Sequence, residues 1–310
     1  MVRSSGGASN GRSIADTAGE GITRLEDLRW ESSREFGGKA AGLGEAWAQG
    51  LPILPGVALD VHWYERALDS AGLASVVRDF WQRDPDLPPS DIQAMADRIR
   101  NALLASTEAQ QAAQQAVACV PWIHQDLMLL VRSSGTAEDS AEASFAGQFE
   151  SIRCTSEAAD LAQAIARVWA SSVDVRVRTY VARRRLSVSN SSMAVIVQPF
   201  RTFSVAGLLF TRHPLLRLNG WFLVEASDSP PDAIVGGEVT PHRFRLHESG
   251  VRALWETNGG QGLDLDVDDL AALGRFGSAM RERLGHDVDI EWGKVEGKVV
   301  LLQCRPVTTK

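Results

Sequence analysis

DVDIEWGKVEGKVVLLQCRP, residues 287–306, has the alternation of two antiparallel strands joined by a short turn. Ile290, Trp292, Val300, Leu302 and Cys304 occupy even positions, whereas Asp287, Asp289, Glu291, Gln303 and Arg305 occupy odd ones. Successive side chains on a strand point to opposite faces, so this hairpin has one apolar and one polar face. Both apolar sets share the core face if the loop holds an odd number of residues. A three-residue Val295-Glu296-Gly297 loop, with Gly297 left-handed, meets that condition. A two-residue Glu296-Gly297 turn instead puts Gln303 opposite a core residue. Glu291 and Gln303 are therefore expected to be neighbours on the polar face, with Arg305 beside them. Carboxylate and amide oxygens suit a hard cation such as Mg²⁺, and a guanidinium fork suits phosphate. By patterning alone, a half-solvated hairpin is the plainer reading.

Upstream of the hairpin, short strands are expected at Met193–Phe200, Ala206–Thr211, Trp221–Ala226, His242–His247 and Val251–Glu256, with one helix over Asp268–Leu284. The first half has a different texture. Residues 62–120 are helical in pattern, including the Ala/Gln-rich stretch Ser90–Cys119, and helical periodicity returns at Ser156–Arg185. Between these lie two strand-like runs, Asp126–Ser133 and Phe145–Cys154. The glycine-rich run GGKAAGLG, residues 37–44, reads as a loop feeding a helix over Leu43–Gln49. This order of elements predicts an α+β fold with an antiparallel sheet in its second half. Its parts are a disordered tail over residues 1–21, a first lobe over 22–190 and a second over 191–310.

The composition narrows the function. A net charge of −7 and a basic run limited to Arg183-Arg184-Arg185 argue against nucleic acid as a partner. Cys119, Cys154 and Cys304 are too widely spaced for a CxxC metal site and form no disulfide framework, so a reduced cytoplasm is the expected setting. The Ser- and Gly-rich start lacks the apolar core of a signal peptide, and no apolar run approaches the ~18 residues that cross a bilayer. Export by that route and a membrane span are not expected.

The run VRSSGTAEDSAEASFAGQFES, Val131–Ser151, places Arg132 at a strand end ahead of a loop of small residues, which let backbone N–H groups approach a phosphate closely. An ordinary surface loop has the same composition. The run through Gln148 nevertheless closely resembles the nucleotide-binding signature of the phosphoenolpyruvate synthase, pyruvate phosphate dikinase and rifampin phosphotransferase family. Four further segments match in the same order: FGGKAAGLGEAWAQGLPILPGVAL (36–59), AVIVQPF (194–200), VAGLLFTRHP (205–214) and DIEWGKVEGKVVLLQCRP (289–306). The resemblance extends over Phe36 to Val307.

It implies an ATP-grasp fold whose two lobes hold ATP and Mg²⁺. By position, it implies that Lys39 and Arg132 contact the phosphates from the first lobe and that Arg305 binds phosphate from the second; these three are the candidate catalytic residues. Glu291 and Gln303 correspond to metal and nucleotide-phosphate ligands, Gln198 and Phe200 to the segment beside adenine, and Ser144 and Gly147 to a phosphate-covering loop. The implied activity is an ATP-dependent phosphotransferase of kinase or dikinase type. Its acceptor is a small molecule or a histidine domain on a separate chain, because the sequence stops at Lys310, ahead of the family's phosphohistidine domain. None of the six histidines has the small-residue context of that phosphohistidine, and His213 is read as structural. Asp228-Ser229-Pro230-Pro231-Asp232 replaces the family's glycine-rich turn, and prolines there remove backbone donors. Two rival functions are an ATP-grasp ligase acting through an acyl phosphate and a nucleotide-sensing module without transfer.

Overall fold

The computed structural model describes residues 20–307 except 83–86, 121, 124–126, 137–138, 141–142, 145–148, 176–177, 179–191, 213–219, 230–232, 235–236, 250–252 and 256–261. Gly147, His213 and Pro230–Asp232, singled out above, lie outside the described residues, as does most of the expected tail. Two antiparallel sheets carry the fold. The first has strand order β1-β2-β7-β3-β6, from β1 (Ile22–Arg24), β2 (Val57–Leu59), β3 (Met128–Gly135), β6 (Ser151–Thr155) and β7 (Met193–Pro199). The second has order β11-β10-β9-β8-β12-β13, from β8 (Val205–Phe210), β9 (Trp221–Ser227), β10 (His242–His247), β11 (Ala253–Trp255), β12 (Val288–Val295) and β13 (Lys298–Pro306). A small pair, β4 (Asp139–Ser140) with β5 (Ala143–Ser144), lies in the loop after β3. The first half is thus more than the mainly helical unit expected.

Each face of the first sheet enters a different core. Val57, Leu59, Leu129, Val131, Val195 and Val197 pack on a helical layer. That layer contains α2 (Val61–Ser70), α3 (Ala74–Gln82), α4 (Pro89–Leu104), α5 (Thr107–Cys119) and α6 (Ala158–Ser171). Ala58 and Ile196, on the opposite face, join the core of the second sheet. Central β7 is therefore buried along its whole length and shows no polar alternation. The position taken above as the start of the second lobe, residue 191, lies just ahead of β7 in sequence. β7 pairs with β2 and β3, and the chain crosses to the second sheet only after Pro199.

Side-chain caps explain the helix limits. The Asp60 carboxylate accepts from the His62 N–H to start α2, and the Ser106 hydroxyl accepts from the Ala109 N–H to start α5. Ser106 thereby divides the Ala/Gln-rich stretch into α4 and α5. Deep in the helical layer the Tyr64 hydroxyl meets Ser172 Oγ at 2.9 Å. Burial there pushes the phenol up to about 12. On the other side, α7 (Val267–Leu284) packs Leu273, Phe276 and Met280 into the core with Phe222, Phe244, Ile290 and Trp292. It starts with an Asp266–Asp269 capping box and ends at left-handed Gly285.

The glycine-rich run does not form a loop. Helix α1 (Ser33–Ala48) includes it, with a break at Gly37, where φ is 75°. A Cβ at Gly37 would overlap the carbonyl oxygen and hydroxyl of Ser134, and one at Gly42 would lie 3.0 Å from the Cys304 carbonyl oxygen. These glycines permit close packing of α1 on β3 and β13. Gly37→Ala combines a left-handed backbone with that overlap and is expected to lower stability by about 2–3 kcal/mol, read by urea unfolding. An unchanged midpoint would show that Ser134 can move aside.

The hairpin differs from its expected form in an informative way. Val295 pairs with Lys298, so the turn has two residues, Glu296 at φ 51° and Gly297 at φ 73°. Positive φ at both positions matches the twist of the flanking strands. A β-bulge then changes the register: Trp292 faces Leu301, whereas Glu291 faces Gln303, leaving Leu302 as the extra residue. The expected Glu291–Gln303 neighbours therefore form by way of a bulge, without the three-residue loop, and Arg305 in the adjacent position faces Asp289. Among the described residues no helix is long and apolar enough to cross a membrane.

Candidate active site

Arg132 leaves β3 from the face turned toward the second sheet and reaches the bulged segment of β13. One terminal nitrogen donates to the Leu302 carbonyl at 2.8 Å; the other donates to Gln303 Oε1 at 3.0 Å and lies 3.9 Å from Glu291 Oε2. The bulge directs the Leu302 carbonyl toward Arg132. With side chains 13% and 15% exposed, Arg132 and Glu291 are shielded from most solvent screening.

Lys39 sits in the first turn after the Gly37 break, and its Nζ donates to Ser133 Oγ at 3.2 Å. Ser134 fixes that turn. Its hydroxyl donates to the Phe36 carbonyl at 2.7 Å and accepts from the Ala40 N–H at 3.1 Å. The residues right after Arg132 thus anchor the helix that carries Lys39.

Two rows of side chains share the polar face of the second sheet. The register aligns Gln303, Glu291, Leu208, Glu225 and Arg243 across five strands, and Arg305, Asp289, Phe210, Leu223 and Arg245 beside them. Arg243 closes the first row with a 2.7 Å bond to Glu225. Arg305 places Nε and one terminal nitrogen each 2.9 Å from Asp289 Oδ2. Asp289 Oδ1 is buried with no hydrogen-bond partner among the described residues. Burial holds the Asp289 carboxyl above its usual range; Arg305 opposes that shift, and the charges of Glu291 and Glu225 add to it.

Among the expected residues, the structure brings Arg132, Glu291 and Gln303 into contact and sets Arg305 in the adjacent row. Gln198 is buried and donates to the Leu54 carbonyl at 3.0 Å, while Phe200 lies under the Arg153 guanidinium, 4.2 Å from the ring centre. Ser144 pairs with Asp139 through the backbone of β5. The sequence reading missed Asp289 and the supporting Ser133 and Ser134, all within quoted segments. The usable signal for Asp289 was its spacing of two from Glu291, which puts both carboxylates on one face.

The donor set fits Mg²⁺. Glu291 and Gln303 offer oxygens from opposed strands, and Asp289 Oδ1 is a further oxygen without a partner among the described residues. Such a cation uses one or two carboxylates and fills its remaining positions with phosphate and water. Among the described residues no group of three or more His, Cys, Asp or Glu forms a closed metal centre. An open groove of about 840 Å³ lined by His247, Glu248, Arg281 and His286 contains none of these residues. Its Arg281 is already paired with Glu248 at 2.6 Å.

Comparison with known proteins gives consistent matches. The family described as pyruvate phosphate dikinase, AMP/ATP-binding domain, matches residues 33–262. A probable phosphoenolpyruvate synthase from Methanothermobacter thermautotrophicus is 29% identical over 316 residues, covering 93% of this chain and 46% of that protein. A rifampicin phosphotransferase from a Streptomyces species is 26% identical over 317 residues, covering 94% of this chain and 36% of that protein. The chain therefore spans less than half the length of these curated relatives. Among solved structures, D-alanyl-alanine synthetase A from Vibrio cholerae aligns with 89% of this chain and 56% of that one at TM-score 0.40 and 11% identity, too loose a likeness to carry weight.

Proposed function

The chain belongs to the pyruvate phosphate dikinase AMP/ATP-binding domain family, and from that premise we propose that it binds Mg·ATP between its two sheets, in an ATP-grasp arrangement, and transfers a phosphoryl group. One observation supports this most: Arg132 of the first sheet bonds to Gln303 and faces Glu291 of the second. Phosphoryl transfer depends mainly on positioning and on neutralising charge, and this contact concentrates the required groups. Lys39 and Arg132 bind the phosphate chain from the first sheet and its attached helix, and Arg305 binds it from the last strand. Glu291 and Gln303, with Asp289 beside them, would hold Mg²⁺. Bound there, the ion neutralises phosphate charge and fixes its geometry.

In this reading Asp289 keeps Arg305 extended along the polar face, and the β8–β10 end of that face is closed by Glu225 and Arg243. Gln198 and Phe200 border the adenine, and the loop containing Ser144 and Gly147 covers the phosphates. The acceptor is a small molecule, in keeping with the names of the relatives, or a histidine on a separate protein. Among the described residues nothing favours ligase chemistry or nucleotide sensing over transfer.

A thermal-unfolding series tests the nucleotide and metal together. Ligand at about 100 times its Kd adds about 2.7 kcal/mol to the folded state, enough to raise Tm by several degrees. ATP with Mg²⁺ is expected to give that rise, and ATP with EDTA a much smaller one. Equal shifts with and without metal would remove Glu291 and Gln303 from the metal assignment.

A further inference from the structure

Arg132 stands where a cation would be needed. Its contacts with Gln303 Oε1 at 3.0 Å and Glu291 Oε2 at 3.9 Å use the two oxygens assigned to the metal, while its bond to the Leu302 carbonyl at 2.8 Å holds it in that position. A guanidinium remains charged at every accessible pH, so it already neutralises the shielded Glu291 carboxylate. A divalent ion approaching that carboxylate meets a positive group a few ångströms away, and the low exposure of both side chains preserves the repulsion.

We propose that Arg132 keeps the divalent-cation position closed in the nucleotide-free protein, so that the cation enters only together with the nucleotide. This inference rests on the reading of Glu291 and Gln303 as metal ligands. A triphosphate removes the block by exchange. Arg132 passes from Glu291 to the incoming phosphate oxygens, which suit its planar fork, and the released carboxylate would then be free to hold the cation that comes with those phosphates. Every charge has a counter-ion before and after the exchange. Either ligand arriving alone leaves a charge unmatched: free metal displaces Arg132 toward no anion, and metal-free nucleotide brings its charge close to Glu291. Cation and nucleotide therefore raise each other's affinity, and thermodynamic linkage makes the two increases equal.

Mn²⁺ can stand in for Mg²⁺, with the paramagnetic signal of the free ion reporting binding to the full chain without nucleotide. Wild type is expected to bind weakly. Arg132→Met leaves the carboxylate without its neighbour and is expected to bind Mn²⁺ at least about tenfold more tightly. Adding Glu291→Gln should abolish the gain. Arg132→Gln, polar but uncharged, carries the same expectation should the Met variant fail to fold. Arg132→Lys, which keeps the charge, should show no gain. Unchanged affinity in the folded neutral variants overturns the proposal. So does stoichiometric Mn²⁺ binding to nucleotide-free wild type that Glu291→Gln removes, a result independent of any Arg132 variant. Calorimetry with ATP separates this inference from the proposed function. Absence of ATP binding, alongside a Glu291-dependent gain in Arg132→Met, defeats the function and leaves the block standing. ATP binding without that gain does the reverse.

Discussion

Arg305→Ala is expected to slow ATP-dependent phosphoryl transfer by about a thousandfold, the scale of losing a guanidinium that stabilises a transferring phosphoryl group. The same change also has a structural cost. Arg305 supplies both donors to Asp289 Oδ2, and Asp289 Oδ1 has no partner among the described residues. Without Arg305 the carboxylate is buried and uncompensated, a situation that costs about 3–5 kcal/mol when one member of a buried pair is removed. Burial already holds the Asp289 carboxyl above its usual range, and loss of the guanidinium raises it further. The folded variant then binds a proton that the unfolded chain has released. Its stability consequently falls as pH rises from the ordinary aspartate range, about 4, toward the raised folded-state value. Urea unfolding at several pH values reads that slope. Asp289→Asn combined with Arg305→Ala should restore stability and flatten the slope while leaving transfer slow. If the double variant also recovered transfer, Arg305 would act by supporting Asp289 and would have no direct role at phosphate.

Glu291→Gln is the second large effect. The amide has nearly the same shape and keeps an oxygen, but it loses the charge that holds a divalent ion. The rate is expected to fall about a hundredfold to a thousandfold, mostly in kcat, since the metal neutralises charge as the phosphoryl group departs. Arg132 keeps its bonds to the Leu302 carbonyl and Gln303, so the fold should remain intact. Steady-state kinetics over a Mg²⁺ titration, with circular dichroism as a control, checks both statements. A normal kcat with a normal metal requirement would place the ion elsewhere. Unfolding of the variant would point to a structural carboxylate.

The regions that repeat a simple period were the most legible. Strand β10, expected at His242–His247, spans those residues, and the two hairpin strands fall within the expected 287–306 stretch. These segments have one apolar and one polar face, so the period is visible in the residues themselves. Strand β7 has no such contrast, and its membership of the first sheet follows from long-range pairing with β2 and β3 that no local window contains. The glycines of α1 suggested a loop because glycine favours one locally. Their reason is the close packing on Ser134 and Cys304, residues about 100 and 260 positions away. The pairing of Glu291 with Gln303 was foreseen, but the turn length was not, since a bulge five residues from the turn is a decision of the whole sheet. Asp289 was passed over because the resemblance drew attention to Glu291, although both occupy the same polar face.

The two-residue turn and the extra Leu302 behave like a pair of compensating frameshifts written in three dimensions. Between them Trp292, Gly293 and Lys294 are read against Leu301, Val300 and Val299; beyond them Glu291 and Asp289 are read against Gln303 and Arg305. Flattening the bulge with Leu302 still in the strand would put Gln303 opposite Ile290 and turn Gln303 and Arg305 toward the apolar core, because side-chain facing repeats every two residues. Widening the turn to take in Val295 while keeping the bulge would also shift the pairing by one. At constant length, turn and bulge can therefore change only together as long as the polar face has work to do, whereas a deletion that removes Leu302 itself would leave Glu291 against Gln303 and Asp289 against Arg305.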